Sequence, residues 1–303
     1  MAELRFDGRV ALVTGGGRGL GAAYAKLLAS RGAKVVVNDP GVSMAGEGSD
    51  LGPAEQVVEE IKQADGEALA NGDTVATPEG GEAMVQAARD HFGSIDIVIH
   101  NAGIVRRSSL REMSYSDFES VLDVHLRGGF HVVRAAFPHM CDAGYGRIVL
   151  TGSINGLYGN RDVMNYSAAK AGLMGLSNVA AIEGEEFNVK SNMILPGAVT
   201  RMAEGLDTSK YPPMDPELVA PAVAWLAHES CSITGEMLAS IAGRIARAYA
   251  AETQGVYRPS WSIEDVAEQI EAIRDTSKPL LFPPVPTGHV DHLRYSFEMA
   301  SKG

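Results

Sequence analysis

Short apolar runs alternate along this chain with stretches whose apolar positions recur every three or four residues. The runs are Val10–Val13, Lys34–Val37, Ala68–Asn71, Ile95–His100, Arg147–Thr151 and Ser191–Leu195. Mostly continuous hydrophobicity is what strands buried on both faces of a parallel sheet require. Between them, three sets of residues each fall on one helical face: Leu20, Tyr24, Leu27 and Leu28; Val57, Val58 and Ile61 behind a helix-starting Pro53; and Val85, Ala88 and Phe92. Strand and helix in repetition predict an α/β fold, a doubly wound parallel sheet with helices on both faces. We expect one domain over residues 1–251 and a C-terminal extension over 252–303. The extension carries a helix from Ser262 to Arg274, a proline-rich segment Lys278–Pro286 and a final polar stretch. Ser262 and Asp265 outline a capping box for that helix, and Val266, Ile270 and Ile273 give it an apolar face. Pro40–Gly52 is a Gly-rich loop, long for a strand-to-helix connection.

Of 303 residues, 45% are hydrophobic and 21% charged, an ordinary globular composition. No apolar stretch has the length a bilayer crossing needs. The chain enters a strand at Val10 with no signal-peptide pattern before it. A net charge of −12 argues against a nucleic-acid partner and makes any anionic substrate depend on a local basic patch. Cys141 and Cys231 offer neither metal-ligand spacing nor a disulfide framework. The expected setting is a reducing cytoplasm. His289 and His292 stand in the tail without further ligands, so no metal site is expected.

Thr14-Gly-Gly-Gly-Arg-Gly-Leu-Gly21 lies between the first strand and the first helix. Gly15, Gly19 and Gly21 allow a tight turn and close backbone approach, and Arg18, Gly19 and Leu20 stand where helix-start N–H groups meet a pyrophosphate. Asp39 follows the second strand, where a carboxylate either accepts from the adenosine ribose hydroxyls or simply caps the strand end. Placed ~4 Å from a 2′-phosphate, it would repel that group by about 1 to 4 kcal/mol per unit charge, depending on screening. This favours NAD over NADP; a basic Arg18 pulls the other way. Asn101-Ala102-Gly103 after the fourth strand and Asp73 after the third either line the cofactor cleft or form structural turns.

Tyr166 and Lys170 are four residues apart, hence on one helical face. A nearby ammonium favours the phenolate and lowers the tyrosine pKa toward working pH, which makes the pair a general acid/base. Ser153 ends the fifth strand, at the carboxyl edge where open α/β sheets bind ligands, and its hydroxyl can hold the reacting oxygen.

With these residues in this order, the chain resembles the short-chain dehydrogenase/reductase family over Arg5 to Gly243. The resemblance implies a Rossmann fold and gives Tyr166 and Lys170 a part in binding the nicotinamide ribose, with Pro196 and Gly197 against the nicotinamide. Val35-Val-Val-Asn-Asp39, Val124-His-Leu-Arg-Gly128, Tyr158-Gly-Asn160 and Trp225-Leu-Ala-His-Glu-Ser-Cys231 are similar to the (3R)-hydroxyacyl-CoA dehydrogenase domains of type-two peroxisomal multifunctional enzymes. That likeness implies NAD-dependent oxidation of a (3R)-hydroxyacyl-CoA, fatty or steroid-linked, to the 3-ketoacyl-CoA. His125 stands where the family usually has Asn, and is expected either as a solvent-linked member of the proton relay or as a satisfied helix histidine. His100 replaces the first Asn of the family's Asn-Asn-Ala-Gly.

The resemblance also implies a homodimer or homotetramer built through the helix around Asp117–Ala136 and the long helix after Tyr166. The partner is a small molecule, with no nucleic acid and no membrane. Arg106, Arg107, Arg111, Arg161 and Arg201 are either a coenzyme A phosphate patch or ordinary surface charge. A hydroxysteroid or other bulky secondary alcohol is the alternative substrate. A catalytically silent binding protein is the reading from another class, against which the intact Ser153–Tyr166–Lys170 set argues. No hydratase or carrier domain is expected, and the tail is expected either to cover the acyl end of the cleft or a neighbouring subunit's cleft, or to pack on its own domain.

Overall fold

The computed structural model describes residues 3–43, 45–199 and 211–302. Strands β1 (Val10–Thr14), β2 (Lys34–Asn38), β3 (Glu67–Asn71), β4 (Ile97–His100), β5 (Gly146–Thr151), β6 (Val189–Gly197), β7 (Met237–Ile241) and β8 (Arg244–Ala248) share one sheet in the order 3-2-1-4-5-6-7-8. Every pairing from β3 across to β7 is parallel. The apolar runs explain this. Ala11, Val13, Val35, Val37, Ile97 and Ile99 face one helical layer, and the alternate residues Leu12, Val36 and Val98 are equally buried on the other face.

The helices are α1 (Gly19–Ser30), α2 (Gly52–Gln63), α3 (Pro78–Phe92), α4 (Tyr115–Leu122), α5 (Gly128–Ala143), α6 (Ile154–Tyr158), α7 (Met164–Glu183), α8 (Ala220–Ala227), α9 (Ile263–Ile273) and α10 (Gly288–Lys302). Helix α1 packs with α2 and α8; α3 packs with α5, and α4 with α7. The continuous helix expected across Asp117–Ala136 is interrupted. A π-helical turn, Asp123–Arg127, separates α4 from α5 and carries His125. Such turns insert one extra residue into the helical ladder and are frequent at functional sites.

The chain order 3-2-1-4 places the reversal of direction between β1 and β4, whose last residues Thr14 and His100 are register partners. Ligands of open α/β sheets bind beyond the carboxyl ends of the strands at such a reversal. Strands β7 and β8 add to the six runs seen in the sequence. Only two residues, Ala242 and Gly243, connect them, both at positive φ (+50° and +79°), so they form a tight antiparallel hairpin.

The chain divides into two compact units, Met1–Arg247 and Ala248–Gly303. In the second, Ser262 Oγ accepts from the Asp265 N–H at 3.1 Å while the Ser262 N–H donates to Asp265 Oδ2 at 2.9 Å, completing the capping box at the start of α9. The final polar stretch is also helical, as α10, with Val290, Leu293 and Phe297 at helical spacing. His292 pairs with Glu252 at 3.1 Å and packs edge-on against Phe282.

Candidate active site

The turn after β1 is built on absent side chains. Gly15 has φ +62°, and a Cβ there would lie 2.8 Å from Ala102 Cα. A Cβ on Gly21 would lie 2.1 Å from the Gly15 carbonyl oxygen, so only glycine lets α1 start this close to the turn. Asp39 is buried and accepts from the Gly17 N–H at 3.0 Å and the Gly41 N–H at 2.8 Å. Two backbone donors thus fix the carboxylate, whose remaining lone pairs stay available to further donors.

A cavity of about 370 Å³ opens over this turn. Among the residues singled out in the sequence, Gly15, Arg18, Gly19, Leu20, Asp39, Asn101, Ala102 and Gly103 line it. Gly21 does not; it packs inside the turn. Asp73 is held by its neighbours: its carboxylate accepts from Asn71 Nδ2, and its carbonyl accepts from Asn38 Nδ2, both at 2.8 Å. The next three residues, Thr74, Val75 and Ala76, form the wall instead. Val42, Ser43, Ala45 and Gly46 of the Gly-rich loop form another part of it. The length of that loop was the sequence signal for a functional role. Arg18 Nη1 is buried without a hydrogen-bond partner among the described residues. A cradle cleared of Cβ atoms, a fixed carboxylate and an orphaned guanidinium donor together fit a dinucleotide.

Ser153, Tyr166 and Lys170 lie at the carboxyl edge of the sheet, outside the lining of that cavity. Ser153 follows β5 and caps α6, accepting from the Asn155 N–H at 3.1 Å. Tyr166 sits in the first turn of α7, where Asn165 Oδ1 receives its N–H at 2.8 Å. Lys170 is 3% exposed, donates to the Thr151 carbonyl, and stands 5.6 Å from the Tyr166 ring centroid. Burial lowers the Lys170 pKa from its usual 10.5 to about 7. Burial also pushes the Tyr166 phenol up, partly offset by a hydrogen bond with Ser153 and the charge of Arg107. The expectation of a phenol lowered by the Lys170 ammonium is therefore corrected. Desolvation of the phenolate dominates, and the ammonium directs its hydrogen bond to a main-chain carbonyl.

His100 and His125 form a buried pair. Thr14 Oγ1 accepts from the Asn101 N–H at 3.0 Å and the Ala102 N–H at 3.1 Å, so its own proton points to His100 Nδ1, 3.1 Å away. His100 then carries its proton on Nε2 and donates to the His125 carbonyl at 2.9 Å. Burial and the Lys170 charge press the His100 pKa down to about 3. His125 is 1% exposed, with its Nε2 between the Ile104 N–H and carbonyl, and its ring meets the Tyr166 ring edge-on at 5.1 Å. It is not solvent-linked, contrary to the first of the two expectations; burial holds it neutral, well below the usual histidine range. Gly103 is required by this ring, since a Cβ there would lie 2.3 Å from His125 Cε1.

Pro196 and Gly197 end β6 beside Ser240 and Ile241 of β7, and a Cβ on Gly197 would lie 2.8 Å from the Ile241 side chain. Of the five arginines, Arg106 is committed to Asp117 at 2.9 Å and to the Ala45 carbonyl at 3.0 Å. Arg107, Arg111 and Arg161 are exposed, and Arg201 lies outside the described residues.

Fold and cleft together define an oxidoreductase of the dinucleotide-binding α/β type. The chain belongs to the short-chain dehydrogenase family, whose model matches residues 9–210. It is 46% identical over 282 residues to the peroxisomal multifunctional enzyme type 2 of Drosophila melanogaster, covering 91% of this chain and 47% of that one. It is 45% identical over 246 residues to the peroxisomal hydratase-dehydrogenase-epimerase of Saccharomyces cerevisiae, covering 80% of this chain and 27% of that one. The chain thus spans about half or less of the length of these curated relatives. A short chain dehydrogenase from Mycobacterium avium superposes with a TM-score of 0.77 at 38% identity, covering 88% of this chain and 94% of that one.

With desolvation in control, the Tyr166 phenol should titrate above the usual value near 10. Ser153→Ala removes a contact that favours the phenolate, so it should move the titration further up. Tyrosine ¹³Cζ NMR across pH 8–12 (about the range that brackets a free phenol) reads both. A titration unchanged by Ser153→Ala would contradict the geometry.

Proposed function

We propose that the chain oxidises a (3R)-hydroxyacyl-CoA, fatty or steroid-linked, to the 3-ketoacyl-CoA with NAD. The observation that carries this reading is the meeting of Ser153, Tyr166 and Lys170 at the strand ends, beside a glycine-cleared cavity of about 370 Å³. When bound, NAD supplies the hydride acceptor. The chain's own residues hold the alcohol and move its proton. Ser153 Oγ donates to or accepts from the reacting oxygen, and Tyr166 Oη, in its phenolate form, takes the hydroxyl proton. Lys170, held by the Thr151 carbonyl, keeps its amine at the base of this pair. His125, neutral and packed edge-on to Tyr166, acts by position and carries no charge.

The substrate class rests on the relatives. The name of the Saccharomyces cerevisiae relative joins a hydratase, a dehydrogenase and an epimerase, and this chain aligns with part of that protein. NAD is favoured over NADP by the buried, doubly anchored Asp39, which would face a 2′-phosphate with like charge. Both cysteines are free thiols, which suits a reducing compartment, cytoplasmic or, as in the relatives, peroxisomal. A homodimer or homotetramer completes the reading; exposed Phe130 on α5, with Val179 and Ile182 on α7, supplies apolar area for it. Residues 1–251 as dehydrogenase domain and 252–303 as extension is the proposed division of labour.

NADH formation should be detected with (3R)-hydroxyacyl-CoAs, fall by roughly a thousandfold in Tyr166→Phe as expected for loss of the acid/base group, and leave NADH binding nearly unchanged. Formation of NADH only from free steroid alcohols would overturn the acyl-CoA assignment, and wild-type turnover by the variant would remove Tyr166 from the chemistry.

The ratio of kcat/KM for NAD over NADP should exceed about ten, the factor that 1.4 kcal/mol of repulsion gives, and Asp39→Ala should narrow it. A wild-type preference for NADP would mean that Arg18 outweighs Asp39.

A further inference from the structure

The Gly-rich loop between β2 and α2 is closed at its base and turned at its tip. The Asp50 N–H donates to the Pro40 carbonyl at 2.9 Å, and Gly41, at φ +68°, passes so close to Asp50 that no Cβ fits. At the tip, the Gly46 N–H donates to the Ser43 carbonyl at 3.0 Å, and Gly46 abuts Ile104. This tip forms one wall of the cavity. Among the described residues, it accepts one hydrogen bond from a side chain outside the loop, that from Arg106 Nε to the Ala45 carbonyl.

Arg106 is tied just as firmly to the helix that carries Tyr166. Its Nη1 donates to Asp117 Oδ1 at 2.9 Å. Asn165, fully buried, donates through Nδ2 to the Arg106 carbonyl at 2.9 Å and to the Asp117 carbonyl at 3.1 Å, while its Oδ1 holds the Tyr166 N–H. Two residues on, the Ser108 N–H donates to the Asp162 carbonyl at 3.0 Å, just before α7. The main chain of Arg106 is therefore part of the floor under Tyr166, and its guanidinium is part of the cavity wall. A planar guanidinium serves both directions at once through separate N–H groups; an ammonium, a point donor, has no such fork.

We propose that Arg106 is a positioning residue that couples the cavity wall at Ser43, Ala45 and Gly46 to the placement of Tyr166, so that filling the cavity with coenzyme orders the start of α7. This rests on the reading of the cavity as the coenzyme site.

Hydrogen exchange of the full chain, with and without NADH, tests the coupling without relying on turnover. In the wild type, NADH slows exchange at the Gly turn, in the 40–52 loop and at the start of α7. In Arg106→Met the Gly-turn protection stays, while NADH-dependent protection at the start of α7 falls by about tenfold, the size expected from one charged hydrogen bond. Arg106→Lys, which keeps the charge and loses the fork, also loses the coupling. Asp117→Asn, which keeps the side-chain shape and weakens the pair, shifts it in the same direction and serves if Arg106→Met does not fold. Full NADH-dependent protection at the start of α7 in folded Arg106→Met would overturn the coupling with the coenzyme reading intact. Absence of NADH protection anywhere in the wild type would overturn the coenzyme reading and the coupling with it.

Discussion

The cleft depends on one hydroxyl. Thr14 ends β1, in register with His100 at the end of β4, at the place where the sheet reverses its winding. The chain leaving β4 presents two N–H groups there, from Asn101 and Ala102, and neither belongs to the strand ladder. Buried N–H groups require acceptors, and Thr14 Oγ1 takes both. That capture draws Ala102 against Gly15 so closely that a Cβ on residue 15 would meet its Cα at 2.8 Å. It also leaves the hydroxyl proton for His100, which sets that ring's tautomer and sends its Nε2 proton to the His125 carbonyl. The cofactor turn and the floor beneath Tyr166 thus share an origin at one side chain.

Around that origin the titratable groups are kept dry. Burial drives Lys170 to about 7 and His100 to about 3, holds His125 neutral, and raises the Tyr166 phenol. Every shift has the same sign in physical terms: each group is moved toward its uncharged form. That common direction has one cause, the removal of each charged form from water. It also explains why position outweighs charge here. His125 touches Tyr166 through a ring edge, and Gly103 exists to admit that ring.

The legible parts of the sequence were those written in local pattern. Five of the six strands seen in the sequence are mostly buried apolar runs because both faces of the sheet are covered there, and the turn after β1 shows itself in its glycines. The Tyr166–Lys170 spacing places the two on one face of α7. Strand β7 was missed because its run is short and includes Ala239 and Ser240; β8 was missed because it is an edge strand whose Arg244 and Arg247 face solvent in the manner of a protected edge. The π-helical turn that interrupts the helix around His125 has no composition of its own. Helix α10 did carry a signal, Val290, Leu293 and Phe297, which its polar composition obscured. Thr14 and Asn165 were invisible for a different reason. Each acts through hydrogen bonds to main chain distant in sequence, 87 and 88 positions away for Thr14 and 48 to 59 for Asn165, and no local pattern records such a partner.

The central claim is that the Thr14 hydroxyl organises both the cofactor turn and the chain leaving β4. Thr14→Val keeps the shape and removes the acceptor, stranding one buried and one part-buried N–H group. At about 1 to 3 kcal/mol for an unsatisfied buried group, NADH affinity measured by fluorescence titration should fall by roughly tenfold or more, and Thr14→Ser should restore it. A folded Thr14→Val protein that binds NADH as tightly as the wild type would contradict the account.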